Sequence, residues 1–161
     1  MKNPDFSRVL LGALAVLGLH WALVSRASIG AASPDLPLAF AVYLGLTATK
    51  RAPVFFLWGF GLAIDLAGPY PTGLHALAFP ALGWMAHRAG QGLDPGSPWV
   101  RCSMLWASGL ILRALQWGSL SADGILPAPG WTLLFVGLSA VLTTAVGMAA
   151  FWCFDGFETA V

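Results

Sequence analysis

Apolar runs follow one another along this chain, separated by short polar or Gly/Pro breaks, with no long linker and no low-complexity segment. Read as helices, the runs cover roughly Ser7–Ser25, Asp35–Thr49, Pro53–Ala67, Gly73–Arg88, Trp99–Trp117 and Gly130–Phe154. Pro34 and Pro37 bracket the approach to the second run and Pro53 opens the third, positions where a missing N–H is harmless. Pro80 falls inside the fourth run and should kink it. Several runs are shorter than the ~20 residues that a perpendicular membrane span needs. The third and fourth must then be half-buried among the others, or join at a turn that dips below the membrane surface. Non-helical backbone at that depth is tolerated only when protein covers it.

Composition decides the class. Charged residues make up 9% of the chain and hydrophobic residues 58%, against roughly 25% charged in soluble proteins. So few charges could not cover a soluble surface. The reading is an all-α integral membrane protein, one domain over residues 1–161, built as a compact bundle of six transmembrane helices. A net charge of +1 leaves no nucleic-acid footprint. Cys102 and Cys153 lack the paired spacing of a metal or redox site and read as small buried hydrophobes. The first run, Val9 to Val24, is read as a retained helix and not a signal peptide, because Asp5 interrupts its basic lead and Ser25-Arg26-Ala27-Ser28 makes a poor cleavage site.

Basic residues give the orientation. Lys2, Arg8, Lys50, Arg51, Arg88 and Arg101 fall in the lead and the even-numbered breaks, against Arg26 alone in the others. Both termini are therefore expected in the cytoplasm, where thiols stay reduced. Trp99, Trp117 and Trp131 lie at helix ends as interfacial anchors should, whereas Trp58, Trp84 and Trp106 read as packing residues.

Two charges stand well inside predicted runs. Asp65 follows Pro53 by 12 residues and Arg113 follows Arg101 by 12, so each sits about 18 Å above its anchor and the two share a depth. A charge in a lipid-facing segment costs roughly 2.5–3.5 kcal/mol on the lenient insertion scales. The two are expected to pair or to share a small polar network. Otherwise Arg113 snorkels to the outer interface and Asp65 caps the turn at Gly68–Gly73. A proton relay through Asp65 would need His20 or His75 as further members. His20, His75 and His87 read more simply as solvated or hydrogen-bonded residues at helix ends.

No hydrolase constellation, metal motif or phosphate-binding glycine loop occurs, so no catalytic residue, metal or cofactor is assigned. Small residues form a second kind of signal. Gly59, Ala63 and Ala67 recur along the third helix, and Ser139, Thr143 and Gly147 along the sixth. Such stripes let helices approach closely, either within this chain or as a docking face for a partner's helix.

The hairpin Gly59-Phe-Gly-Leu-Ala-Ile-Asp65-Leu-Ala-Gly68, followed by Gly73-Leu74-His-Ala-Leu, resembles the central signature of MreD, the bacterial rod-shape-determining membrane protein family. Gly61 lies within the same hairpin. Ser33-Pro34-Asp35-Leu36 resembles the family's proline-containing motif before its second helix. The likeness in motifs covers about Ser33 to Arg88, and beyond that only the hydrophobic layout agrees. The resemblance implies a non-enzymatic subunit of the cell-elongation machinery in the bacterial inner membrane, without cofactor. Its implied direct partner is the single-span periplasmic protein MreC. The wider assembly holds MreB, the RodA glycosyltransferase and a class B penicillin-binding transpeptidase, and membrane lipid surrounds it. A homodimer is compatible with this reading. The resemblance also implies the six-helix layout of the substrate-binding subunits of energy-coupling-factor vitamin transporters. Such a subunit is the alternative function, with Asp65, Arg113, His75, Tyr70 and Trp117 available to line a pocket.

Overall fold

The computed structural model describes residues 6–27, 32–47, 54–68, 72–122 and 129–159. Within them the chain is all-helical, in the order α1 (Phe6–Ala27), α2 (Leu36–Thr47), α3 (Val54–Ala67), α4 (Leu74–Gly92), α5 (Pro98–Ala122) and α6 (Pro129–Thr159). Prolines stand first in α5 and α6, where the orphan N–H is not missed. α4 runs on through Pro80 and stops where Leu93 turns extended, its N–H bonded to the Ala89 carbonyl at 2.9 Å. α5 outlasts its expected end because Gly118 and Ser119 do not break it. The Ser119 hydroxyl bonds back to the Gln116 carbonyl at 2.8 Å.

α2 is the axle of the bundle. It is apolar all round, which marks a helix meant for the interior, and every residue from Leu36 to Leu46 is buried. It packs on α1, α4, α5 and α6, while α3 lies chiefly on α4 and α5 on α6. Side-chain pairs give the sense of packing. Asp35 meets Thr143, Ala39 meets Gly147 and Tyr43 meets Phe151. Each step of four on one helix matches a step of four on the other, so α2 and α6 run parallel. α5 runs the other way, with Leu105 at Gly147 and Arg101 over Phe151. Phe40, Phe60 and Phe79 join α2, α3 and α4 through ring contacts of 5.7 and 6.0 Å.

Among the described residues, one stretch is long and apolar enough by itself to cross a membrane, Thr132–Cys153 within α6. The 12 residues of α2 and the 14 of α3 fall short of the ~20 required. Thr143 lies midway along that stretch, about 16 Å from either end. α2 therefore begins level with the middle of α6. The non-helical lead Ala32–Asp35 is enclosed at that level, with Ala32 and Asp35 buried and Pro34 fully so.

Two surface expectations need correction. Trp58, Trp84 and Trp106 are 49%, 50% and 48% exposed and face outward, because the smaller Leu57, Gly83 and Leu105 occupy the inward positions beside them. Cys153 is exposed and Cys102 half-buried, and both are free thiols. Lys50, Arg51, Pro53 and Tyr70 lie outside the described residues, as do the side chains of Arg26 and Trp131.

Candidate functional site

Asp65 sits in the last turn of α3, two residues before its end, on the face turned toward the start of α4. The residue is 3% exposed, and its carboxylate accepts four hydrogen bonds. Oδ2 takes the backbone N–H groups of Gly73 at 2.9 Å and Ala76 at 3.0 Å. Oδ1 takes the N–H of His75 at 3.0 Å and its ring Nδ1 at 2.6 Å. The first turn of any helix leaves N–H groups without intrahelical partners, normally answered by a Ser, Thr, Asp or Asn at the N-cap. Here the N-cap is Gly73, with φ 106° and no side chain to offer, a backbone conformation that glycine adopts without strain. Asp65 caps α4 from the neighbouring helix instead. Negative charge is also favoured there by the helix dipole.

The close approach that permits this has its own residue. A Cβ on Gly61 would run into the backbone of His75 and Ala76. Gly61 lies one turn before Asp65, so the two together seat the start of α4 on α3.

From Asp65 the polar contacts continue inward. His75 is 2% exposed, and its Nε2 meets Gln116 Nε2 at 2.9 Å. Gln116 Oε1 accepts from Arg113 Nη1 at 3.0 Å. Arg113 Nη2 donates to the Ser33 carbonyl at 2.6 Å and the Ser33 hydroxyl at 2.9 Å. Arginine only donates, which fixes the direction of the whole row. Gln116 must present its oxygen to Arg113 and its amide N–H to His75. His75 Nε2 then accepts, and the ring proton sits on Nδ1, aimed at Asp65. The row Asp65–His75–Gln116–Arg113–Ser33 ties α3, α4, α5 and the lead into α2 together.

The direct Asp65–Arg113 pair does not form, because His75 and Gln116 stand between the two charges. A shared network joins them instead, and Asp65 also caps the turn. Gln116 carries no mark in the sequence, and Ser33 stands out there only as the first residue of the motif that precedes α2. Arg113 and Gln116 are spaced i, i+3, neighbours on one helix face, and that spacing was the available signal. Of the two expectations for His75, solvated or hydrogen-bonded at a helix end, the second holds, and the residue is a buried member of the row. His87 is buried too, bonded to Gln91 at 3.2 Å.

The remaining candidates separate into inside and outside. Leu74 opens α4 and packs against the core, and Gly68 follows the last residue of α3. Gly59 is exposed, with nothing within 4 Å of a Cβ built there. Ser139, Thr143 and Gly147 are all buried. The Thr143 hydroxyl accepts from the Asp35 N–H at 3.0 Å. A Cβ on Gly147 would meet Ala39 and Leu105 at 3.0 Å. The α6 stripe is thus filled by α2 and α5 of the same chain and is not open to a partner's helix.

An Asp–His pair can serve as a base when the far ring nitrogen faces a substrate. Here Gln116 occupies that nitrogen, so the row braces the bundle. Among the described residues, no group of three His, Cys, Asp or Glu stands together to hold a metal. Compared with known protein families, characterised proteins and solved structures, the chain finds no match in any of the three.

Proposed function

We propose that this chain is a multi-pass subunit of the bacterial inner membrane, a non-enzymatic scaffold of the MreD kind that binds MreC and helps organise lateral wall synthesis. The carrying observation is that the hairpin residues on which the resemblance rests act as one joint, with Asp65 capping the helix that Gly73 and Leu74 open. Charge is turned inward and used up in contacts within the chain.

The membrane reading draws support from the surface. Only 28% of the long apolar stretch in α6 is buried, whereas the core helix of a soluble protein would be largely covered. Phe55, Leu66, Leu77 and Leu133 are strongly exposed, as suits contact with lipid. The half-depth start of α2 meets the condition for irregular backbone inside a membrane, since protein encloses it and Arg113 satisfies the Ser33 carbonyl. Asp65 and His75 bond each other, His75 also meets Gln116, and Arg113 bonds Gln116 and Ser33, which argues against their lining a vitamin pocket.

A tagged chain purified from bacterial membranes in mild detergent tests the proposal. Recovery of a single-span protein with a periplasmic coiled coil is the expected result. Recovery of an ATPase pair with its coupling subunit would overturn it in favour of a transporter.

A further inference from the structure

The polar row runs in one direction only. At its far end the Arg113 guanidinium has nothing but N–H to give, so Gln116 meets it with Oε1 at 3.0 Å and turns its amide N–H to Nε2 of His75 at 2.9 Å. At its near end the Asp65 carboxylate accepts, so Nδ1 of the same ring, 2.6 Å from Oδ1, carries the proton. Nε2 is then the ring position that holds a lone pair.

A second proton on the ring has a single place to go. Nδ1 keeps its hydrogen whether the imidazole is neutral or charged. The new N–H bond forms at Nε2, on the lone pair that Gln116 uses, and two N–H groups then face each other. Gln116 has two responses. It can hold its orientation and give up His75. It can instead turn its amide over, offer Oε1 to His75 and set its NH2 group against Nη1 of Arg113. Either way the row is cut between His75 and Arg113, because the accepting oxygen lies at one end of the amide and the donors stand at both.

The groups around the ring leave each side of that cut whole. α4 packs chiefly on α2, α3 and α5. α3 brings Asp65, and α5 brings Gln116 with Arg113 behind it, its Arg101 and Cys102 lying toward the other end of that helix. α2 holds no charged residue, and its Tyr43 lies against Phe151. His20 of α1 interacts electrostatically with His75, Arg113 and Asp35. On the near side of the cut, Asp65 keeps the N–H groups of Gly73, His75 and Ala76, so α4 stays seated on α3. On the far side, Arg113 keeps the Ser33 carbonyl and hydroxyl, so α5 stays tied to the lead into α2.

We propose that His75 is a proton-operated latch: with one ring proton it closes the row, and with two it parts the α3–α4 hairpin from the Arg113–Ser33 anchor. The proton comes from water, and one hydrogen bond of Gln116 is given up for it.

The test uses the full chain in lipid bilayers, labelled with 15N on histidine, glutamine and arginine and read by magic-angle-spinning NMR. It runs from about pH 8 to about pH 5, the range in which histidine changes charge. At the upper end His75 should show a protonated Nδ1 and a bare Nε2. Toward the lower end Nε2 should gain its proton, and the side-chain signals of Gln116 and Arg113 should move with it along one curve. Gln116→Glu offers an accepting oxygen at both ends of the side chain, so there His75 should charge while the Arg113 signals stay in place. A His75 ring that stays neutral throughout in the folded chain would overturn the proposal. So would a ring that charges while Gln116 and Arg113 stay still, or Arg113 signals that move as far in the Glu variant as in the unaltered chain. The first two outcomes are read without any substitution, so they decide the matter even where the variant does not fold.

Discussion

Gln116 is the residue through which two buried charges reach each other, and it makes two bonds that no other side chain replaces. Gln116→Leu leaves the Arg113 guanidinium and His75 Nε2 each short of a partner. At about 1–3 kcal/mol per stranded group, the loss should be about 2–6 kcal/mol in equilibrium unfolding of the detergent-solubilised protein. Adding His75→Phe removes one stranded partner, so the double variant should lose less than the sum of the singles. Strict additivity would mean that the row is not a unit. Asp65→Asn sets an amide donor against a set of N–H donors at the start of α4 and should cost about 2–4 kcal/mol. Its effect should be larger than that of Gly73→Ala, which meets only the backbone strain of a left-handed φ, about 1 kcal/mol.

Helices in this bundle are positioned by where a side chain is missing as much as by where one is present. Gly147 lets α2 lie against α6, and Gly61 lets α4 start against α3. Gly59 faces outward on the same helix as Gly61, with open space around it. Gly147→Leu should therefore lower the unfolding midpoint clearly, with an overpacking cost of about 1–3 kcal/mol or more. Gly59→Leu should leave stability within about 0.5 kcal/mol. A reversal of that order would mean that α6 and α2 do not pack as described. The periodicity of small residues marked both stripes equally. It could not say which was covered, because a one-dimensional pattern shows that a close approach is possible and not what makes it.

Across the whole molecule, α2 runs parallel to α6 and α5 runs the other way, so the end of α2 and the α4–α5 connection lie toward the same side of the bundle. On the membrane reading proposed above, holding the basic residues of that connection inside leads to the expectation that both termini face the cytoplasm. Fusions at either terminus test this directly. A fluorescent protein should mature and glow at each, and alkaline phosphatase should stay inactive. Phosphatase activity at one end alone would mean an odd number of crossings. Most of the architecture was legible beforehand, since six apolar runs became six helices with boundaries moved by a few residues. The centre of the site was half legible. Asp65 and Arg113 stood out because charge is rare in such a sequence, whereas Gln116 is unremarkable, and Ser33 has no visible tie to Arg113, until their neighbours are known.

Composition and spacing by themselves determined the helical class, the number of helices and the two charges that had to be satisfied inside. Those follow from the cost of exposing polar groups to an apolar surrounding, which acts on each run separately. The tertiary structure alone decided that the charges meet through His75 and Gln116, that Asp65 caps a helix it does not belong to, and that the α6 stripe is closed. Each of these depends on which helix lies beside which. That arrangement is set by packing among residues far apart in the chain, as when Asp35 meets Thr143.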